Sequence, residues 1–133
     1  MIAADRAQPI WLDGDVALAI HERQLAEHGG GVGVRDAGML ESALGRPVNQ
    51  WHYGEDDVCA LAAAYAFGIA RNHPFIDGNK RTAWVVARLF LRINDVQIAF
   101  DPQDAIRTVL ALAAGELSEE ELADWFKTHM IAG

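Results

Sequence analysis

Cysteine is nearly absent from this chain: Cys59 is the one thiol in 133 residues. A lone thiol excludes an internal disulfide. Its apolar neighbours make Cys59 a small buried residue, and a reducing cytoplasm is the expected home. Positive charge is also scarce, with 11 Lys and Arg against 19 Asp and Glu, a formal net charge of -8 and a pI of about 4.9. That balance argues against direct binding to nucleic acid and suits a basic partner. Long hydrophobic runs are missing too. The longest uncharged one, Val58 to Ala70, falls short of the ~20 residues that cross a bilayer, so no membrane role is expected. The chain opens with no basic flank followed by an apolar stretch, so no secretory leader is expected. Repeats, low-complexity tracts and linkers are lacking, and residues 1–133 are expected to form one domain around one core.

What the sequence has is helix punctuation. Asp13 or Asp15 caps a first helix running to about His28, where Gly29-Gly30-Gly31 stops it. Asp36 caps a short second helix ended by Gly45. Arg46 to Gly54, with Pro47, Asn49 and Gly54, reads as a loop or short hairpin. Glu55-Asp56-Asp57 opens a third helix, about 55–71, that is apolar on every side and therefore central and buried. A fourth helix runs from near Asn79 to about Asn94. Val96 to Phe100 is an extended link too isolated to make a sheet. Asp101-Pro102 starts a fifth helix that ends at Gly115, and Ser118 with Glu121 forms a capping box for a sixth, running to about Met130. The expected fold is all-α, about six helices bundled around the third.

Between the third and fourth helices lies His73-Pro74-Phe75-Ile76-Asp77-Gly78-Asn79-Lys80-Arg81. Pro74 disfavours helical geometry at His73, so the third helix should end there. Gly78 permits a turn or the close approach of a ligand. The first backbone N–H groups of the next helix are unpaired, which makes an anion site. Lys80 and Arg81 sit in that first turn, where each positive charge opposes the helix dipole by ~0.3–1 kcal/mol. An anion between them removes the conflict, and phosphate is the obvious one. Arg88 lies two turns on along the same face. Asp77 is a hard oxygen ligand of the kind Mg²⁺ takes beside phosphate oxygens. His73 is the loop's one group able to take a proton near pH 7. Phe75 should point into the core and anchor the loop. A zinc pair of His73 and Asp77 lacks a third ligand.

This loop resembles the signature of the Fic/Doc family. The Fic branch has His-Pro-Phe-x-(Asp/Glu)-Gly-Asn-Gly-Arg-x-x-Arg. Here Lys80 replaces the third small residue, and Trp84 stands where the second arginine would be. The Doc (death-on-curing) branch has Asn-Lys-Arg-Thr-Ala, which is Asn79 to Ala83 here. His21-Glu22, Gly29-Gly30, Arg35-Asp36 with Leu40-Glu41 and Ala43, and Leu89-Phe90-Leu91-Arg92 with Asn94 also resemble Doc-like chains, so the likeness spans almost the whole sequence.

The resemblance implies an enzyme that uses ATP and Mg²⁺, the toxin of a type II toxin-antitoxin pair in the bacterial cytoplasm. Fic proteins transfer AMP to a target hydroxyl. Doc-like proteins transfer the γ-phosphate, to a threonine of elongation factor Tu, and halt translation. Carried onto this chain, His73 is the base and Asp77 the metal ligand. Arg81 joins them as a catalytic residue, and Gly78, Asn79, Lys80, Arg81 and Arg71 hold the nucleotide. Arg46 to Gly54 corresponds to the flap that lines the protein substrate, with Trp51 and Tyr53 suited to it. A Phd-like antitoxin would lay a helix across the protein. Lys80 and Trp84 point to phosphate transfer, and Gly78 to AMP transfer. A third reading, a co-repressor module that chiefly binds antitoxin, also stays open. His21 is expected to be structural, and the four tryptophans to be core or interface anchors, with Trp84 as one candidate wall of a nucleotide pocket.

Overall fold

The computed structural model describes residues 6–131; the very start of the chain, where the absence of a leader was read, lies partly outside them. Six helices follow in order: α1 (Gly14–His28), α2 (Ala37–His52), α3 (Val58–Asn72), α4 (Asn79–Ile93), α5 (Pro102–Ala113) and α6 (Glu119–Thr128). The expected all-α bundle is what forms. Asp13, Asp36, Asp57, Asp101 and Ser118 each accept a backbone N–H at the start of a helix, and Ser118 with Glu121 completes the capping box. Substituting such a cap by alanine typically costs ~1 kcal/mol.

α3 is the axle. Leu61, Ala62, Ala63, Ala64, Tyr65, Ile69 and Ala70 are fully buried in it, and α2, α4, α5 and α6 all pack against it. Its small residues let backbones meet. A Cβ added at Gly68 would stand 2.9 Å from the Ala43 Cα of α2. Tyr65 supplies the polar point of this core, where its hydroxyl accepts the Leu12 N–H at 3.0 Å. No helix among the described residues is long and apolar enough to cross a membrane.

Two details depart from the sequence reading. α2 does not stop at Gly45 but runs through Pro47 to His52. Proline inside a helix removes a hydrogen bond and crowds the preceding turn. Here tertiary contact overrides it: Pro47 is buried, and Arg46 and Gln50 both hold Glu119 at the start of α6. Trp51 is packed edge-on against Trp11. The segment expected to form a flap is therefore mostly helix. Second, the 96–100 link finds a partner. Ile98 pairs with Met130, and Ala99 N–H donates to the His129 carbonyl. Trp84, expected with the other tryptophans to be an anchor, packs with Phe100, Trp125 and Phe126 and joins α4 to α6.

Candidate active site

The motif loop is built from the end of α3 outward. His73 caps α3 in the left-handed conformation, φ 49 and ψ 57. Phe75 turns inward and is 1% exposed, a burial that stabilises by about 1.5–3 kcal/mol. It stacks on the buried His21 ring, with centroids 3.8 Å apart and planes 8° apart. His21 Nε2–H donates to the Asp77 carbonyl at 2.8 Å. His21 is thus a structural support, as its sequence context suggested. The Asn79 side chain closes the loop from the other end. Its carbonyl accepts the Phe75 N–H and its amide donates to the Phe75 carbonyl, both at 2.9 Å. Both polar atoms of the Asn79 side chain are thus engaged with the loop.

A second segment, Gly29 to Asp36, lies along this loop. Val34 bridges Phe75, Ile76 N–H donates to the Gly33 carbonyl, and Arg35 and Asp36 N–H both donate to the Pro74 carbonyl. The glycines permit the approach. A Cβ at Gly30, where φ is +126, would stand 2.7 Å from Asp77 Oδ2, and one at Gly31 would stand 2.9 Å from Ile76. This segment, and not 46–54, is the loop neighbour of the motif. Four glycines in five residues exceed what a helix stop requires, and that surplus was the available signal of close backbone packing.

Asp77 Oδ1 accepts the Gly78 N–H at 2.9 Å, and Oδ2 accepts the Gly31 N–H at 3.3 Å. These two bonds, the Gly78 one foremost, hold its carboxyl below the usual carboxylate range, with smaller help from Arg81 and His21. The carboxylate is exposed and stays ionised, with lone pairs left for a hard cation. Among the described residues no group of three or more His, Cys, Asp or Glu gathers to hold a metal unaided. A cation at Asp77 would complete its shell with water or with oxygens of a bound phosphate.

α4 begins at Gly78 in the left-handed conformation, and it alone of the six helices has no side-chain cap. Its leading N–H groups remain available, beside exposed Lys80 and Arg81. Neither cation has a carboxylate within ion-pair distance among the described residues. His73 and Lys80 together line an open cleft of about 540 Å³, whose far wall is Leu110, Ala111, Ala113 and Ala114 of the α5 end, with Arg107 and Glu116. Asp77 and Arg81 do not line it. Arg71 lies over the Phe67 ring and its guanidinium reaches Gly115, at the α5 end of the same region. Arg88 is further off, stacked over Phe100.

The arrangement is that of an all-helical protein in which one uncapped, cation-bearing helix start stands beside a histidine and an ionised aspartate. Residues 11–91 match the Fic/DOC family. The chain is 41% identical over 108 residues to "Protein kinase doc" of Escherichia phage P1, covering 80% of this chain and 85% of the relative. It is 50% identical over 76 residues to "Toxin Doc" of Mycolicibacterium smegmatis, covering 55% and 58%. The chain belongs to the Fic/DOC family, on its Doc side.

Proposed function

We propose that this protein is the toxin of a toxin-antitoxin pair and transfers the γ-phosphate of ATP to a hydroxyl of a translation factor of the elongation factor Tu type. The observation that carries the reading is Lys80. It stands in the first turn of the uncapped helix and shares a cleft with His73. The names of the two Doc relatives support the toxin and kinase readings.

In this reading the target hydroxyl gives its proton to His73 as its oxygen attacks the γ-phosphorus. The bond from that phosphorus to the β-phosphate bridging oxygen breaks, and ADP leaves. Proton removal by a positioned base contributes ~10²–10⁴ in rate. Lys80, Arg81, the backbone N–H of Asn79 and Arg71 hold the phosphates in their negative forms, and Gly78 leaves their approach to the helix start free of a side chain. Asp77 holds Mg²⁺, which when bound neutralises phosphate charge. Its ionised, exposed carboxylate fits that task. A Phd-like antitoxin, binding as a helix, silences the toxin, and the acidic surface suits a basic stretch of that partner.

The test uses ATP labelled at the α or the γ position, with Mg²⁺ and cell lysate. Protein-bound γ label that disappears in His73→Ala is the expected result. Protein-bound α label would replace the reading with AMP transfer, which Gly78 favours through its left-handed, side-chain-free approach to the helix start. No label from either would leave a co-repressor module. Expression without antitoxin should arrest growth, and Asp77→Ala should relieve the arrest.

A further inference from the structure

Two consecutive residues, Arg35 and Asp36, take up three consecutive carbonyls at the end of α3. Arg35 Nε–H donates to the His73 carbonyl at 2.7 Å and its Nη2–H to the Asn72 carbonyl at 2.9 Å. The backbone N–H groups of Arg35 and Asp36 donate to the Pro74 carbonyl at 2.7 and 3.0 Å. The Asp36 side chain then caps α2. His73 sits at the centre of this arrangement. It is one of two residues other than glycine with positive φ among those described, the other being Asp95.

We propose that Arg35 is a positioning residue that sets the direction of the His73 side chain. The φ and ψ of His73 are the rotations of the peptide planes on its two sides. One plane carries the Asn72 carbonyl and the other carries the His73 carbonyl. A single planar guanidinium with donors in a fixed fork holds both. Fixing the two carbonyls together fixes the dihedral pair, and with it the direction of the Cα–Cβ bond that sends the imidazole into the cleft shared with Lys80. A left-handed conformation is unfavourable for a residue with a Cβ and persists when its surroundings over-determine it.

A plain helix cap would be satisfied by the Asn72 carbonyl. The His73 and Pro74 carbonyls lie beyond α3, so the grip extends past the helix onto the loop. Arg35 has no carboxylate partner within ion-pair distance among the described residues, although acids outnumber bases in the chain. Its two side-chain bonds both go to main chain.

The proposal rests on His73 being the base, and two kinds of measurement separate the two claims. Arg35→Met and Arg35→Lys are made in the full chain, and folding is checked by thermal melting. Lysine keeps the charge at the helix end but lacks the rigid planar fork that holds both carbonyls in one geometry. Initial rates of γ-label transfer into lysate protein are measured as ATP is varied. The maximal rate should fall about ten-fold or more in Arg35→Met, the scale of population shift that a left-handed penalty allows. The apparent KM for ATP should stay within two-fold, and Arg35→Lys should be intermediate. Backbone carbon and nitrogen NMR shifts of His73 should leave left-handed values in both variants, while those of Gly78 and Asn79 stay. Unchanged His73 shifts, an unchanged rate, or a KM that rises in step with the loss of rate would overturn the proposal. If the wild type transfers no label, the reading of the reaction fails, and the shifts alone decide whether Arg35 sets His73.

Discussion

Asn79→Ala tests the loop most directly. The Asn79 side chain is 8% exposed and makes two hydrogen bonds to Phe75, which is itself 1% exposed. Alanine leaves a Phe75 N–H and carbonyl without partners in a buried place. An unsatisfied buried group costs about 1–3 kcal/mol, and water reaching one of them would reduce the sum, so about 2–4 kcal/mol is expected. A chain of this length unfolds with an entropy of about 0.28 kcal/mol/K, so the melting temperature should drop by about 7–14 °C. Urea unfolding followed by circular dichroism measures the same loss. Asn79→Asp sharpens the test. One introduced oxygen still accepts the Phe75 N–H, but the other faces the Phe75 carbonyl. The charged form is disfavoured, so the folded-state pKa of the introduced carboxyl is raised. The penalty is full above that pKa and is relieved as pH falls through it. Relative to the wild type, Asn79→Asp should therefore gain stability toward acid. An Asn79→Ala variant as stable as the wild type but unable to transfer phosphate would refute the reasoning, because the amide would then be serving the nucleotide and not the loop.

Other consequences follow from the same contacts. Asp77 has a depressed pKa, so the order it gives the loop is present above the ordinary carboxylate range and is lost as pH falls through the folded-state value. The Gly31 and Gly78 amide protons should titrate with it by NMR, and a midpoint at or above ~3.9 would contradict the two hydrogen bonds. Gly30→Ala puts a Cβ against Asp77 Oδ2 at a φ of +126. It should destabilise by about 1–3 kcal/mol in urea melts and lower the transfer rate. His21→Phe keeps the ring on Phe75 but loses the bond to the Asp77 carbonyl. A loss of about 1 kcal/mol is expected, and an unchanged melt would show that the bond is idle. Cys59 is buried with its thiol pushed up to about 11 by burial, so thiol reagents at pH 8 should label it only after denaturant is added.

Local signals reached the helix starts and the inward turn of Phe75, because a cap or a proline acts within a few residues of itself. Asp36, Asp101 and Ser118 need no distant partner to be read, whereas Asp13 is one of two candidates and Asp57 caps a helix that starts at Val58, three residues later than the acidic run suggests. The course of α2 was not legible. Pro47 and Gly45 are breakers by local rules, and what holds the helix through them is Glu119, about seventy residues away in sequence. The resemblance makes Trp51 and Tyr53 flap aromatics, and nothing local shows where their rings go. Trp51 instead packs on Trp11, while Tyr53 is 93% exposed. Within the site, the histidine, the carboxylate and the two cations of the motif are visible in the sequence as one run. Their division into two faces is not. His73 and Lys80 open toward α5, and Asp77 faces Gly30 and Gly31. The part played by Asn79 was hidden because a conformational lock and a ligand contact call for the same residue type.

The smoothness of α3 separates two kinds of change in this molecule. At Gly68 the α2 backbone at Ala43 already occupies the space that a side chain would need, so the rod that ends in His73 admits almost no enlargement there. The opposite wall of the cleft is different. Ala114 is exposed at the end of α5 and forms part of that wall without core neighbours to displace. A bulkier residue there reshapes what can enter while the histidine stays where it is. The same bulk at Gly68 dismantles the support beneath it. On the proposed reading, selectivity can drift along α5 while the chemistry stays pinned to α3.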